Sequence, residues 1–191
     1  MKNDIILSGV GGQGILSIAA LIGLAAVENG LFLKQSEVHG MSQRGGDVQS
    51  HFRLSDKPVY SDIIPSGEAD LIISVEPMES LRYLPWLSKE GWLVTNSVPF
   101  NNITDYPPVE EILAEIRKIT NNIILDADAI AKEAGSARAG NIVVLGAASP
   151  FIDMPFSSLE NAIRKLFARK GEEIVEVNLK ALKAGRSFTG K

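Results

Sequence analysis

At 191 residues the chain is long enough for one domain with a real core and too short for two comfortable ones. Its 45 % hydrophobic and 22 % charged content is that of an ordinary globular protein, and a net charge of −4 argues against a nucleic-acid surface, which shows a basic patch. There is no cysteine, so structural disulfides, cysteine-ligated iron–sulfur clusters and thiolate catalysis are excluded on this chain.

Residues 4 to 16 read as a short apolar strand that turns sharply through glycines and opens a long buried helix. Gly9, Gly11 and Gly14 fit G-x-G-x-x-G, with Gly12 a fourth glycine inside the turn. In that spacing the first glycine allows a tight turn, the second lets backbone approach a phosphate, and the third lets helix pack close to strand. The N–H groups and positive dipole end at Gly12, Gln13 and Gly14 would face an anion. Lys2 before an apolar run superficially resembles a signal peptide. The glycines break the run, however, and Asp4 stands where positive charge is expected. The uninterrupted part, residues 15 to 27, is too short to span a bilayer. A cytoplasmic protein with nothing removed is expected.

Residues 15 to 27 are apolar on nearly every side, which predicts burial against the sheet on one face and against more chain or a partner on the other. Asn29 and Gly30 stop this helix. Residues 31 to 34 are a candidate second strand, parallel to the first through a right-handed crossover. Residues 36 to 53 follow as a polar, glycine-containing segment without apolar periodicity until Val48, the kind of loop that carries function. Residues 48 to 54 alternate apolar and polar and read as a half-exposed strand.

Residues 70 to 75 form a continuous apolar run, hence a central strand. Pro77 opens a short helix over 78 to 87, and residues 92 to 95 form another strand. Val109, Ile112, Leu113, Ile116 and Ile119 repeat at helical spacing; residues 122 to 126 are strand-like and 127 to 134 helical. Residues 141 to 148 are ambiguous by pattern, because the β-branched residues favour strand and the alanines helix. Ser157 and Glu160 have capping-box spacing at the start of a helix, and a last helix over 172 to 184 stops before Gly185. These alternations predict a single α/β domain over residues 1–191: a Rossmann-like, mostly parallel sheet flanked by helices, with C-terminal helices.

Glu37 lies beyond the second candidate strand, about where a ribose-binding carboxylate of an NAD-dependent dehydrogenase lies, but it already belongs to the polar segment. His39 and His51 are the only histidines; with Glu37 they offer three potential metal ligands, yet no helical metal-binding spacing holds them, so no metal site is assigned. No G-x-S-x-G elbow is present. No catalytic residue is assigned on this chain. Arg44, among Ser42, Gln43 and Gly45, suits phosphate recognition through its rigid fork of donors, or equally the bracing of its own loop.

Gly9 to Gly14 taken together with the segment Glu37-Val-His-Gly-Met-Ser-Gln-Arg-Gly-Gly46 and the strand after it resembles the gamma-type subunit of the 2-oxoacid:ferredoxin oxidoreductase family. The His39 to Gly46 wording is similar to the beta subunits of the indolepyruvate-type enzymes within it. Weaker likeness extends through Ser74 to Glu79, Asn96, residues 141 to 146, Glu176 to Asn178 and Gly185. The resemblance makes residues 141 to 148 a helix. It implies one subunit of an enzyme that oxidatively decarboxylates a 2-oxo acid to an acyl-coenzyme A and passes electrons to ferredoxin. Thiamine diphosphate with its Mg, and the iron–sulfur clusters, would sit on a large partner subunit. Here the thiamine motif G-D-G is absent, the nearest string being Gly46-Asp47-Val48. Coenzyme A would be a co-substrate, with no cofactor held by this chain alone, and neither nucleic acid nor membrane is an expected partner. By the resemblance, Gly9, Gly11, Gly12, Gln13 and Gly14 would contact the cofactor side through backbone, and Ser42, Gln43, Arg44 and Gly45 would close a loop over it. The rival expectations are a stand-alone NAD-dependent dehydrogenase and a nucleotide- or acyl-coenzyme-A-binding module.

Overall fold

The computed structural model describes residues 1–40, 45–101 and 103–190. The chain runs β1 (Lys2–Val10), α1 (Ile15–Glu28), β2 (Phe32–His39), β3 (Asp47–Ser55), β4 (Ala69–Ser74), α2 (Pro77–Arg82), β5 (Leu87–Asn96) and α3 (Val109–Ile116). It continues through β6 (Asn122–Leu125), α4 (Ala127–Glu133), α5 (Gly140–Ala148), α6 (Phe156–Phe167) and α7 (Glu172–Phe188). One sheet takes the order β2-β3-β1-β4-β5-β6, in which β1, β4, β5 and β6 are parallel and β3 is antiparallel to both its neighbours. The α/β, mostly parallel expectation is met.

The alternation of each strand sorts its side chains onto two cores. Ile5 and Leu7 of β1, with Phe52, Leu71, Ile73 and Val94, face α1, α4, α5, α6 and α7; Ile6, Ile72 and Leu93 face α2 and α3. Helices therefore cover both faces, which is why β4 reads as an unbroken apolar run. The other side of α1 is met by α6: Asn29 Nδ2 donates to Ser158 Oγ at 2.8 Å and Lys165 pairs with Glu28 at 2.5 Å. The chain itself thus covers most of α1, although Leu16 and Val27 stay 50 % and 62 % exposed.

The amino-terminal half departs from the sequence reading. β2 runs in the same direction as β1 but is not its neighbour, because β3 folds back and takes the place between them. Residues 36 to 39 are strand, so the segment read as a long loop is a hairpin whose connection is short. β3 buries Val48, Ser50, Phe52 and Leu54 on one face and, His51 apart, leaves the other face half-buried, as the alternation of residues 48 to 54 predicts. Its register is pinned where Asp4 and Arg53 stand opposite each other: Arg53 Nε donates to Asp4 Oδ1 at 2.8 Å and Nη2 to Oδ2 at 3.1 Å, with the carboxylate fully buried.

Further corrections are local. α2 begins at Pro77 and ends at Arg82; Pro85, which cannot donate to a continuing helix, leaves only a 3-10 turn over Leu84–Trp86. Residues 141 to 148, ambiguous by pattern, are helical as the family resemblance implies. The capping box does not form: α6 starts at Phe156 with Pro155 as N-cap, placing Ser157 already inside the first turn. α7 does not stop before Gly185 but runs through it to Phe188. The reason is packing. A Cβ on Gly185 would lie 2.0 Å from the Val143 carbonyl oxygen, and one on Gly146 would lie 2.1 Å from that of Leu182. The two glycines let the backbones of α5 and α7 touch.

Candidate functional site

The order of the sheet creates the site. From β1 the chain leaves toward β3 and β2 over one face, and from β4 it leaves through α2 over the other, so a crevice opens at the carboxyl ends of these adjacent strands. The glycine turn stands in that crevice. Gln13 closes it: its backbone N–H donates to Val10 O at 3.1 Å, its Oε1 accepts the Val10 N–H at 2.8 Å, and its Nε2 reaches Val75 O at 3.4 Å.

The two segments singled out in the sequence meet. The Gly11 N–H donates to Gly46 O at 2.8 Å and the Gly45 N–H donates to Gly11 O at 3.4 Å, so the end of the β2–β3 connection lies against the glycine turn. This contact also narrows the donor set. The amides of Gly11 and Gln13 are engaged within the protein. Among the described residues, no acceptor takes those of Gly12 and Gly14. Ser42, Gln43 and Arg44 lie outside the described residues.

The glycines have different tasks from those their spacing suggests. Gly9 gives close packing, since a Cβ there would lie 2.4 Å from Val75 Cγ2 and 2.9 Å from Ile15 Cδ1. Gly12 has φ +100 and faces open space, where the conformation itself calls for glycine. Gly14 is the N-cap of α1 at φ +81, and Asn141 Nδ2 donates to its carbonyl at 3.1 Å.

Gly12 borders two cavities. One, of about 440 Å³, runs from Gly12 and Gln13 past Val75, Asn96 and Phe100 to Asp128, Arg138 and Asn141. The other, of about 320 Å³, is more apolar and is lined by Val10, Ile15, Leu16, Val48 and His39. Asn96 shapes the first: its Oδ1 accepts the N–H groups of Ala127 at 3.0 Å and Val98 at 3.3 Å. Burial, and next the neighbouring Asp126, raise the Asp128 carboxyl, partly offset by its hydrogen bond to Asn96. The Arg138 guanidinium is exposed at the rim, and no side-chain partner holds it among the described residues. Asp128 and Arg138 were not singled out in the sequence. The only signal was a lone arginine among small residues, Gly135 to Gly140, just before a helix.

The histidines part company. Glu37 and His39 share the α1 face of β2, as read from the extended chain, and their side chains are in ion-pair contact. His51 is on the opposite face of β3, buried, accepting the Ile64 N–H on Nδ1 at 3.1 Å and packed edge-on to Trp86. Burial depresses its pKa, which keeps it a neutral acceptor. The three groups do not converge. Among the described residues, no cluster of three acids or histidines is suited to a metal ion.

The sequence profile of the pyruvate ferredoxin/flavodoxin oxidoreductase family matches residues 4–188. The chain belongs to that family. It is 41 % identical to a protein of Archaeoglobus fulgidus named indolepyruvate oxidoreductase subunit IorB, over 97 % of this chain and 94 % of that one. The protein of the same name from Methanothermobacter thermautotrophicus is 36 % identical over 97 % and 96 %. The solved gamma subunit of a keto/oxoacid ferredoxin oxidoreductase from Geobacter sulfurreducens superposes with TM-score 0.71 at 25 % identity, covering 98 % of each chain. A 2-oxoglutarate:ferredoxin oxidoreductase from Magnetococcus marinus, solved with 2-oxoglutarate, coenzyme A and succinyl-CoA bound, has the same fold at TM-score 0.77 and 21 % identity. There it occupies 31 % of a longer chain.

Proposed function

We propose that this family member is the accessory subunit of a thiamine-diphosphate-dependent 2-oxoacid:ferredoxin oxidoreductase, acting on indolepyruvate or related aryl pyruvates, and that it completes the coenzyme A pocket. The observation that carries the reading is the glycine turn at the strand crossover, with the open Gly12 amide and Arg138 bordering one cleft, in a chain whose relatives are named as subunits. Thiamine diphosphate, its Mg and the iron–sulfur clusters do not fit this chain. It has no cysteine thiolate, and the described residues offer no metal cluster. We assign them to a large partner subunit, which would also meet ferredoxin. No helix among the described residues is long and apolar enough to cross a membrane, in keeping with a cytoplasmic complex.

Coenzyme A supplies the thiol that accepts the acyl group. The residues of this chain bind and orient it: Gly12 and Gly14 offer backbone donors, Arg138 a guanidinium, and Ser42, Gln43, Arg44 and Gly45 the closing loop. The dehydrogenase alternative loses its support. Glu37 lies on the edge strand, separated from β1 by the antiparallel β3, so it does not stand beside the glycine turn as a ribose-binding acid would.

Reconstitution tests the reading. The chain alone is expected to be inactive, and addition of the large subunit should restore acyl-coenzyme A formation. Arg138→Ala and Arg44→Ala should each raise the KM for coenzyme A by about tenfold without impairing assembly, the worth of one charged contact. Unchanged KM values would remove both residues from the ligand set. Activity with a hydroxy acid and NAD in the absence of any partner would sink the assignment.

A further inference from the structure

Asp47 opens β3 directly after Gly45 and Gly46. Its backbone carbonyl accepts the Gly40 N–H at 2.7 Å, closing the hairpin, while Gly46 O holds the Gly11 N–H. Its side chain turns to the α2 side of the sheet, where the Tyr83 hydroxyl lies 2.9 and 2.8 Å from its two oxygens. Glu79, 3 % exposed, is within hydrogen-bonding reach of the same carboxyl and is bound by Arg82 through Nε at 2.8 Å and Nη2 at 3.3 Å. Glu76, fully buried, caps α2 by accepting the Glu79 N–H at 2.8 Å and takes the Tyr106 hydroxyl at 2.5 Å. The groups around Glu79 are therefore Arg82 and Tyr83 from the end of α2, Glu76 from its cap, Asp47 from β3, and Tyr106 from the stretch leading to α3. The Arg82 guanidinium binds Glu79 and lies near Asp47, so two carboxyls face one cation.

We propose that Asp47, Glu79 and Tyr83 are positioning residues that clamp the base of the β2–β3 hairpin against the glycine turn, with the Glu79 carboxyl holding a proton toward Asp47 and the clamp loosening when that proton leaves. Two ionised carboxylates in contact within a buried site repel each other strongly, and a shared proton turns that repulsion into a hydrogen bond. Burial is the chief cause that pushes Glu79 up to about 7; Arg82 opposes it, and Asp47 adds to it. Because folding raises this pKa, the folded chain holds the proton more tightly than the unfolded one. The stabilisation is complete below the ordinary glutamate value of 4.5 and is lost as pH rises to about 7. Ionisation then acts on Asp47, whose neighbours Gly46 and Gly45 touch Gly11. The clamp does not depend on the proposed activity; only its effect on coenzyme A binding rests on that reading.

Hydrogen exchange of the full chain tests the clamp. After correction for intrinsic exchange, protection of the Gly11 and Gly40 amides should fall about tenfold between roughly pH 6 and pH 8. Glu79→Gln, whose amide can donate to Asp47 and accept from Arg82, should keep protection high at both pH values. Tyr83→Phe should lower it at both. Protection in the wild type that ignores pH, or a fall that survives in Glu79→Gln, overturns the proposal. A carbon-13 titration of the Glu79 carboxyl gives a readout that does not depend on the variants folding: a midpoint near 7 supports the proton on Glu79, and one near 4.5 overturns it.

Discussion

Two pairs of glycines in this protein obey opposite physics. Gly12 and Gly14 sit at a turn with positive φ, one facing open space and the other an asparagine side chain, and their lack of a side chain serves the backbone conformation. Gly146 and Gly185 lie inside helices, and there a hydrogen in place of a methyl lets α5 and α7 approach until carbonyl oxygen nearly meets Cα. The first pair keeps a surface open; the second closes an interior. Identical residues thus serve a cleft and a core, and composition alone does not tell them apart.

Substitution by alanine should separate the pairs. The largest effect is expected for Gly185→Ala. Alanine favours a helix by about 1 kcal/mol over glycine, yet its methyl would overlap backbone oxygen that cannot swing aside. We expect a net loss of about 3 kcal/mol, or a Tm lower by roughly 6 to 12 °C in a calorimetric scan. Gly146→Ala should behave alike, and a Tm that stays or rises for either would break the comparison at its buried end.

Gly14→Ala should cost less, about 2 kcal/mol, because φ +81 is strained for alanine but the obstructing atom is the movable Asn141 amide. Gly12→Ala meets no atom within 4 Å and should cost only about 1 kcal/mol, the conformational term alone. Its cost to coenzyme A affinity in the reconstituted enzyme should exceed its cost to stability. If urea unfolding and coenzyme A titration move together, Gly12 serves folding rather than the ligand. The smallest effect belongs to Asn141→Ala, which removes the 3.1 Å hydrogen bond to Gly14 O and should lower stability by about 0.5 kcal/mol.

Local chemistry made much of this architecture readable. The strand–glycine–helix start, the Asn29–Gly30 stop, the apolar run of β4 and the periodic α3 all follow from short-range preferences of a few adjacent residues. An unusual density of glycine marked both the glycine turn and the polar segment after β2, but that the two meet was decided by the fold. The failures share a cause as well. The polar face of β2 looked like a loop, because an edge strand needs no apolar alternation on its open side. The stop expected at Gly185 was a contact with α5, some forty residues away in sequence.

Sequence by itself determined the glycine turn, the α/β class and the absence of any thiolate to hold a cluster, since each depends on residue identity and near neighbours. Tertiary structure alone decided that β3 enters between β1 and β2, that Gly11 spends its amide on Gly46, and that Asp47 meets Glu79 and Tyr83. Those outcomes depend on which distant surfaces bury one another and on how the buried charges are shared, and no local pattern encodes them.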